Sequence, residues 1–208
     1  MQAAVRGFLA IVIVLLLAPQ AVAQSRAKVD PNWPCQQIKT PTFSLASVWV
    51  GPPLDLNSQS WRDETDVADL KAQMAQRRVP IADVEKAITE FKTKAGPDAE
   101  AKLLRAFAAA FEDLSQQRSQ ILEGLDRFGR KQSALADRIR AENEVQPSSD
   151  QKSDAPPPPG ASSQDKLLWD IRVYNDRSQT ATYVCEAPTL IEQRIGEIAR
   201  AVQKALTL

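Results

Sequence analysis

Two acidic clusters are the first groups in this chain whose spacing could do chemistry. Asp63, Glu64, Asp66 and Asp69 fall close together, and Glu112 is followed directly by Asp113. Adjacent carboxylates can hold a hard cation such as Ca²⁺, but no EF-hand spacing accompanies these. The first cluster also sits where a helix opening near Ser60 would favour negative charge, so helix capping is the reading adopted for it. No metal and no cofactor is expected.

The chain contains no histidine. That removes Ser-His and Cys-His nucleophile pairs, HExxH metal sites and CxxCH haem attachment. Gly-rich phosphate loops and dinucleotide fingerprints are also missing. Lys plus Arg equals Asp plus Glu at 26 each, so no basic footprint points to nucleic acid. A non-enzymatic protein is therefore expected, with a carboxylate- or lysine-based enzyme as the weaker alternative.

Cys35 and Cys185 are the two cysteines, and their chemistry depends on compartment. MQAAVRG supplies a short basic start, Phe8 to Ala18 is an apolar run, Pro19 breaks it, and Ala21-Val22-Ala23 fits a small-x-small cleavage pattern. A signal peptide over residues 1–23 is expected, leaving Gln24 as the mature N-terminus. An uncleaved anchor is the alternative, but an apolar run of about eleven residues is short for a membrane span. Export to a bacterial periplasm follows, with no stable span after cleavage. In that oxidising compartment a Cys35–Cys185 disulfide is the default, whereas redox pairs more often have the Cys-x-x-Cys form.

Those groups must be positioned by a chain that changes character three times. Residues 24–57 read as an extended leader rich in proline and tryptophan. Its aromatic residues Trp33, Phe43 and Trp49, with Trp61 just beyond, are candidates for binding a protein partner. The competing reading is that they fill a groove between helices. Residues 58–146 read as helical: Val67, Leu70 and Met74 repeat on one face, as do Ile81, Val84, Ile88 and Phe91 after Pro80. A long coiled-coil helix over 97–146 follows, with a heptad seam through Leu104, Phe107, Phe111, Leu114, Ile121, Leu125, Phe128, Leu135 and Ile139. Arg118 and Gln132 interrupt that seam. They are read as marking where the partner helix ends, and alternatively as fixing register. Gly124 and Gly129 are mid-helix glycines, read either as permitting close approach of another backbone or as marking a bend.

Residues 147–164 form a proline-rich linker, with Pro156 to Pro159 consecutive. The C-terminal arm, residues 165–208, is ambiguous. Trp169, Ile171 and Val173 alternate as in a β-hairpin over about 168–186. Leu167, Ile171, Tyr174, Ser178, Ala181 and Cys185 instead repeat as in a helix, which the arm's length supports. Pro188 either opens a new helix through a Thr189–Glu192 capping box or interrupts a continuing one.

The fold expected is all-α: an elongated antiparallel helical hairpin with two short N-terminal helices and a leader pinned across it by the disulfide. The function expected is a periplasmic accessory or adaptor that binds a protein partner in the cell envelope, with homo-oligomerisation open. A holdase-type chaperone is the alternative.

Overall fold

The structure, a computed structural model, describes residues 30–145, 160 and 162–207. The expected signal peptide and most of the proline-rich linker lie outside the described residues. Among the described residues there are four α-helices and no strand: α1 (Thr65–Ala75), α2 (Ile81–Ala95), α3 (Ala99–Val145) and α4 (Ser163–Thr207). Short 3-10 turns occur at Leu45–Ser47, Ser60–Arg62 and Gly96–Asp98. With 47 residues, α3 extends for about 70 Å at 1.5 Å per residue.

The helices begin and end for local reasons. Pro80, extended at ψ 145°, opens α2 and is unable to continue α1. Gly96 closes α2 at φ 63°, a left-handed conformation that costs glycine nothing. Ser162 and Asp165 make a reciprocal box at the start of α4: the Ser162 hydroxyl accepts from the Asp165 amide at 3.3 Å, and the Ser162 amide donates to the carboxylate at 3.3 Å. The β-hairpin alternative over 168–186 is overturned, because α4 runs unbroken through that stretch and through Pro188. Alternation in a short apolar run is weak where a long antiparallel neighbour can bury a helical face instead.

The start of α1 differs from expectation. Ser60–Arg62 is a 3-10 turn, and the helix begins at Thr65 with Glu64 at its N-cap making no side-chain cap bond. The Glu64 carboxylate accepts instead from Arg105 Nε at 2.8 Å and Nη2 at 2.9 Å on α3. A bidentate charged pair outweighs one capping bond.

Two regions stack along the long axis. The base is a bundle in which α1 and α2 cover the first half of α3 and the last half of α4. Val67, Leu70 and Met74 of α1 and Val84, Ile88 and Phe91 of α2 meet Leu103, Phe107, Phe111 and Leu114 of α3 and Ile191, Ile195, Ile198 and Val202 of α4. Arg194 of α4 is buried beneath the end of α1, donating to the carbonyls of Met74 at 3.1 Å, Gln76 at 3.0 Å and Gln73 at 3.4 Å. These are carbonyls left over at a helix end, where a cation is also favoured by the helix dipole. Above the base, α3 and α4 continue without α1 and α2 as an antiparallel arm around Leu122, Leu125, Leu135, Leu167 and Ala181.

The seam of α3 follows the expected heptad at most positions: Phe107, Phe111, Leu114, Arg118, Leu125, Gln132 and Leu135 are buried. It departs by one residue where Leu103, Leu122 and Gly129 are buried and the expected Leu104, Ile121 and Phe128 are only partly covered.

The leader runs antiparallel to α3 and down its length. The Asn32 carbonyl lies against Gly129, Lys39 binds Asp126 at 2.7 and 2.8 Å, Phe43 stacks on Phe111, and Trp49 packs on Phe107 with ring centroids 4.6 Å apart. Midway, Cys35 is disulfide-bonded to Cys185. Trp49 folds back over Gly51, where a Cβ would stand 2.5 Å from the indole, and its N–H donates to the Pro52 carbonyl at 2.9 Å.

The two mid-helix glycines separate sharply. A Cβ on Gly129 would lie 1.7 Å from the Asn32 carbonyl oxygen, while one on Gly124 would meet nothing closer than the tip of Arg127 at 3.9 Å. Gly124→Ala is therefore expected to stabilise by up to about 1 kcal/mol, the ordinary helix gain. Gly129→Ala is expected to destabilise by about 1–3 kcal/mol, because the leader must move. Urea midpoints of the two variants should shift in opposite directions.

Candidate functional site

Part of each acidic cluster is paired with bases on neighbouring helices. Glu64 pairs with Arg105, Asp66 with Lys102 at 2.9 Å, and Asp113 with Lys71. Among the described residues no three carboxylate or thiol groups converge in a way that would hold a metal ion. The hydrogen bond from Lys102 is the largest influence holding the Asp66 carboxyl below its ordinary pKa, and the same bond raises Lys102. The stabilisation Asp66 gives is therefore present above the ordinary aspartate value and is lost as pH falls through the lowered folded one. In Lys102→Met the Asp66 titration followed by NMR is expected to move up, towards the ordinary value.

The aromatic candidates have different fates. Trp49 is buried in the base core, and Phe43 is half-buried on Phe111 with the Arg118 guanidinium 5.8 Å from its ring centre. Trp61 is half-buried, with Lys71 and Arg62 against its ring at 4.9 and 4.8 Å. Trp33 stands apart from the base, half-buried beside the arm. Its indole N–H donates to the Gln37 carbonyl at 2.7 Å, and Lys39 sits 5.4 Å from its ring centre.

Arg118 and Gln132 join the hairpin across its seam, where the sequence reading had a partner helix ending. Arg118 is 2% exposed; it donates to Glu192 at 2.6 Å and to the Thr40 carbonyl at 2.6 Å. The Glu192 carboxylate is thereby drawn away from the expected capping box. Gln132 donates its amide to the Tyr174 carbonyl and the Ser178 hydroxyl, both at 3.2 Å. With the Arg138–Asp170 pair at 2.6 Å, these bonds set an antiparallel register that places Cys185 opposite Gly124. Burial pushes the Arg194 guanidinium below its usual pKa.

No family model, curated protein or solved structure matches this chain.

Two hollows follow the arm. One, of about 560 Å³, is half-open and lined by Trp33 and Pro34 of the leader, by Phe128 and Gln132 on α3, and by Tyr174 and Ser178 on α4. The other, of about 480 Å³, lies further out around Leu135, Trp169 and Val173. Large apolar side chains are also exposed near the disulfide. Ile38, three residues after Cys35, is 85% exposed, and Tyr183, two residues before Cys185, is 80% exposed. Sequence reasoning passed over Ile38, Tyr183 and both hollows. The one available signal was the run of small or polar residues, Gln132, Ser133 and Ala136, on an otherwise apolar seam.

Proposed function

We propose that this protein is an exported, non-enzymatic adaptor of the cell envelope, whose helical arm holds a protein partner at the level of the disulfide. The observation that carries this reading is the exposure of Ile38 and Tyr183 on the two segments that the Cys35–Cys185 bond joins. A disulfide at this crossing restricts both segments, so exposed apolar side chains on either of them lose little freedom on binding. Large exposed apolar and aromatic side chains are the usual anchors of such contacts. The apolar N-terminal segment and the disulfide together support a periplasmic location.

A photo-crosslinking residue placed at Tyr183, with a second at Lys86 on the exposed side of α2 as control, tests this in the periplasm. One adduct of defined mass at position 183, and none at 86, is the expected result. A ladder of many client masses would favour the holdase reading instead. Recovery of the protein alone from both positions would remove both readings.

A further inference from the structure

We propose, resting on the adaptor reading, that the leader-free face of the arm docks an amphipathic helix of the partner protein, one whose apolar stripe is flanked by carboxylates.

The base shows what this face accepts. There α1 lies on α3 with Val67, Leu70 and Met74 in the core, while its carboxylates Glu64 and Asp66 bind Arg105 and Lys102 of α3. A helix with an apolar row and acids beside it is therefore a partner that the hairpin already takes within its own chain.

Beyond the base the same face continues uncovered among the described residues. At 3.6 residues per turn, Val184 and Val173 stand about three and about six turns from Ile195, on the row of α4 that is sealed in the base. Ile195 is 1% exposed, whereas Val184 is 44% exposed. Towards the tip, Val173 and Trp169 are half-buried around Leu135 in the outer hollow, which is lined by α3 and α4 alone. Apolar side chains repeated by turns along one face are what a helix laid in a groove reads.

Charge selects an acidic helix. Lys131 of α3 lies about eight turns beyond Lys102 on the same helix face, and it lines the outer hollow together with Arg138 and Arg177. Asp170 is the carboxylate of that lining, and Arg138 takes it at 2.6 Å. Lys131 and Arg177 are exposed and make no ion pair among the described residues. In the base, Lys102 and Arg105 have their carboxylates from α1; in the arm, these two cations await theirs from outside. They attract an acidic flank and repel a basic one.

The test uses the mature, disulfide-bonded chain labelled with ¹⁵N and two synthetic three-heptad helical peptides. Both carry the same leucine stripe, flanked in one by glutamate and in the other by lysine. The glutamate peptide is expected to give saturable shifts of the Trp169 indole and the Val173 and Val184 amides, and to bind at least about tenfold tighter than the lysine peptide. Lys131→Glu combined with Arg177→Glu should keep the melting temperature, since both side chains are exposed, and reverse that order of affinity. Val184→Asp should weaken the glutamate peptide at least about tenfold. The proposal is overturned if neither peptide gives saturable shifts up to about 1 mM, if both bind equally, or if the double charge reversal leaves their order unchanged. Shifts confined to Trp33 and the leader side overturn it too, as does a concentration-dependent dimer of the chain alone that perturbs the same resonances. A defined adduct at position 183 in the periplasm, with no peptide binding, would keep the adaptor reading and remove this one. Peptide binding with no adduct at 183 would do the reverse.

Discussion

Replacement of Cys35 and Cys185 by serine is expected to lower the unfolding free energy by about 2–5 kcal/mol. The two residues are 150 apart in sequence, and a loop of that size gives about 5 kcal/mol in the chain-entropy treatment, which is the upper end. The loss should also be local. Without the disulfide, residues 30–41 keep the Lys39–Asp126 pair, the Arg118 bonds to the Thr40 and Pro41 carbonyls and the fit of Asn32 on Gly129. The base keeps Trp49 on Phe107 and the whole bundle core. Urea unfolding with and without reductant measures the total. Amide hydrogen exchange should show faster opening of the leader and the arm around Cys185, with the base helices α1 and α2 slowest. A shift below about 1 kcal/mol would show that the unfolded chain is already restricted at this crossing.

Arg118→Ala is expected to cost about 3–5 kcal/mol, the range for removing one partner of a buried ion pair. The Arg118 side chain is 3% exposed, whereas that of Glu192 is 30% exposed. Water can therefore reach the stranded carboxylate, which argues for the lower end of that range. The Thr40 and Pro41 carbonyls lose their donor at the same time, so the leader should loosen together with the α3–α4 seam. Glu192→Gln keeps an acceptor for the guanidinium and should cost about 1 kcal/mol, since only the charge term is lost. A double-mutant cycle between the two positions should return a coupling of more than about 1 kcal/mol. Arg118→Met keeps the buried stem and should fall between these values. Chemical denaturation of the wild type and the four variants supplies the numbers.

The disulfide and Arg118 show how unevenly the molecule was legible. The disulfide followed from an even cysteine count in a chain that opens like an exported one. Arg118 was visible as a polar residue on an apolar seam, but the sequence alone favoured an exposed end of the partner helix. The choice depended on residues 40 and 192, which are far from 118 in sequence and meet it only in the folded chain. The acidic cluster at Asp63 to Asp69 does lie at a helix start, with Glu64 at the N-cap and Asp66 in the first turn of α1, but its partners were not legible. Its spacing matched a helix start, and nothing local showed that Lys102 and Arg105 would arrive from α3 to take Glu64 and Asp66. Arg194 gave no signal, because a side chain that closes another helix's C-terminus looks like any surface arginine in its own.

By itself the sequence determined the helical character of residues 58–146, the length of α3, and the breaks at Pro80 and Gly96. Each of these is a property of nearby residues: apolar spacing, a missing backbone N–H, or a positive φ that glycine tolerates. Only the tertiary structure decided the helical state of residues 168–186 and the continuity of α4 through Pro188, the division of the leader between Trp49 in the core and Trp33 beside a hollow, and the opposite roles of Gly124 and Gly129. Those outcomes depend on which side chains and backbone atoms are brought within a few ångströms across more than a hundred residues of chain. Packing and paired charge between distant segments settle them, and local preference is too weak to foretell either.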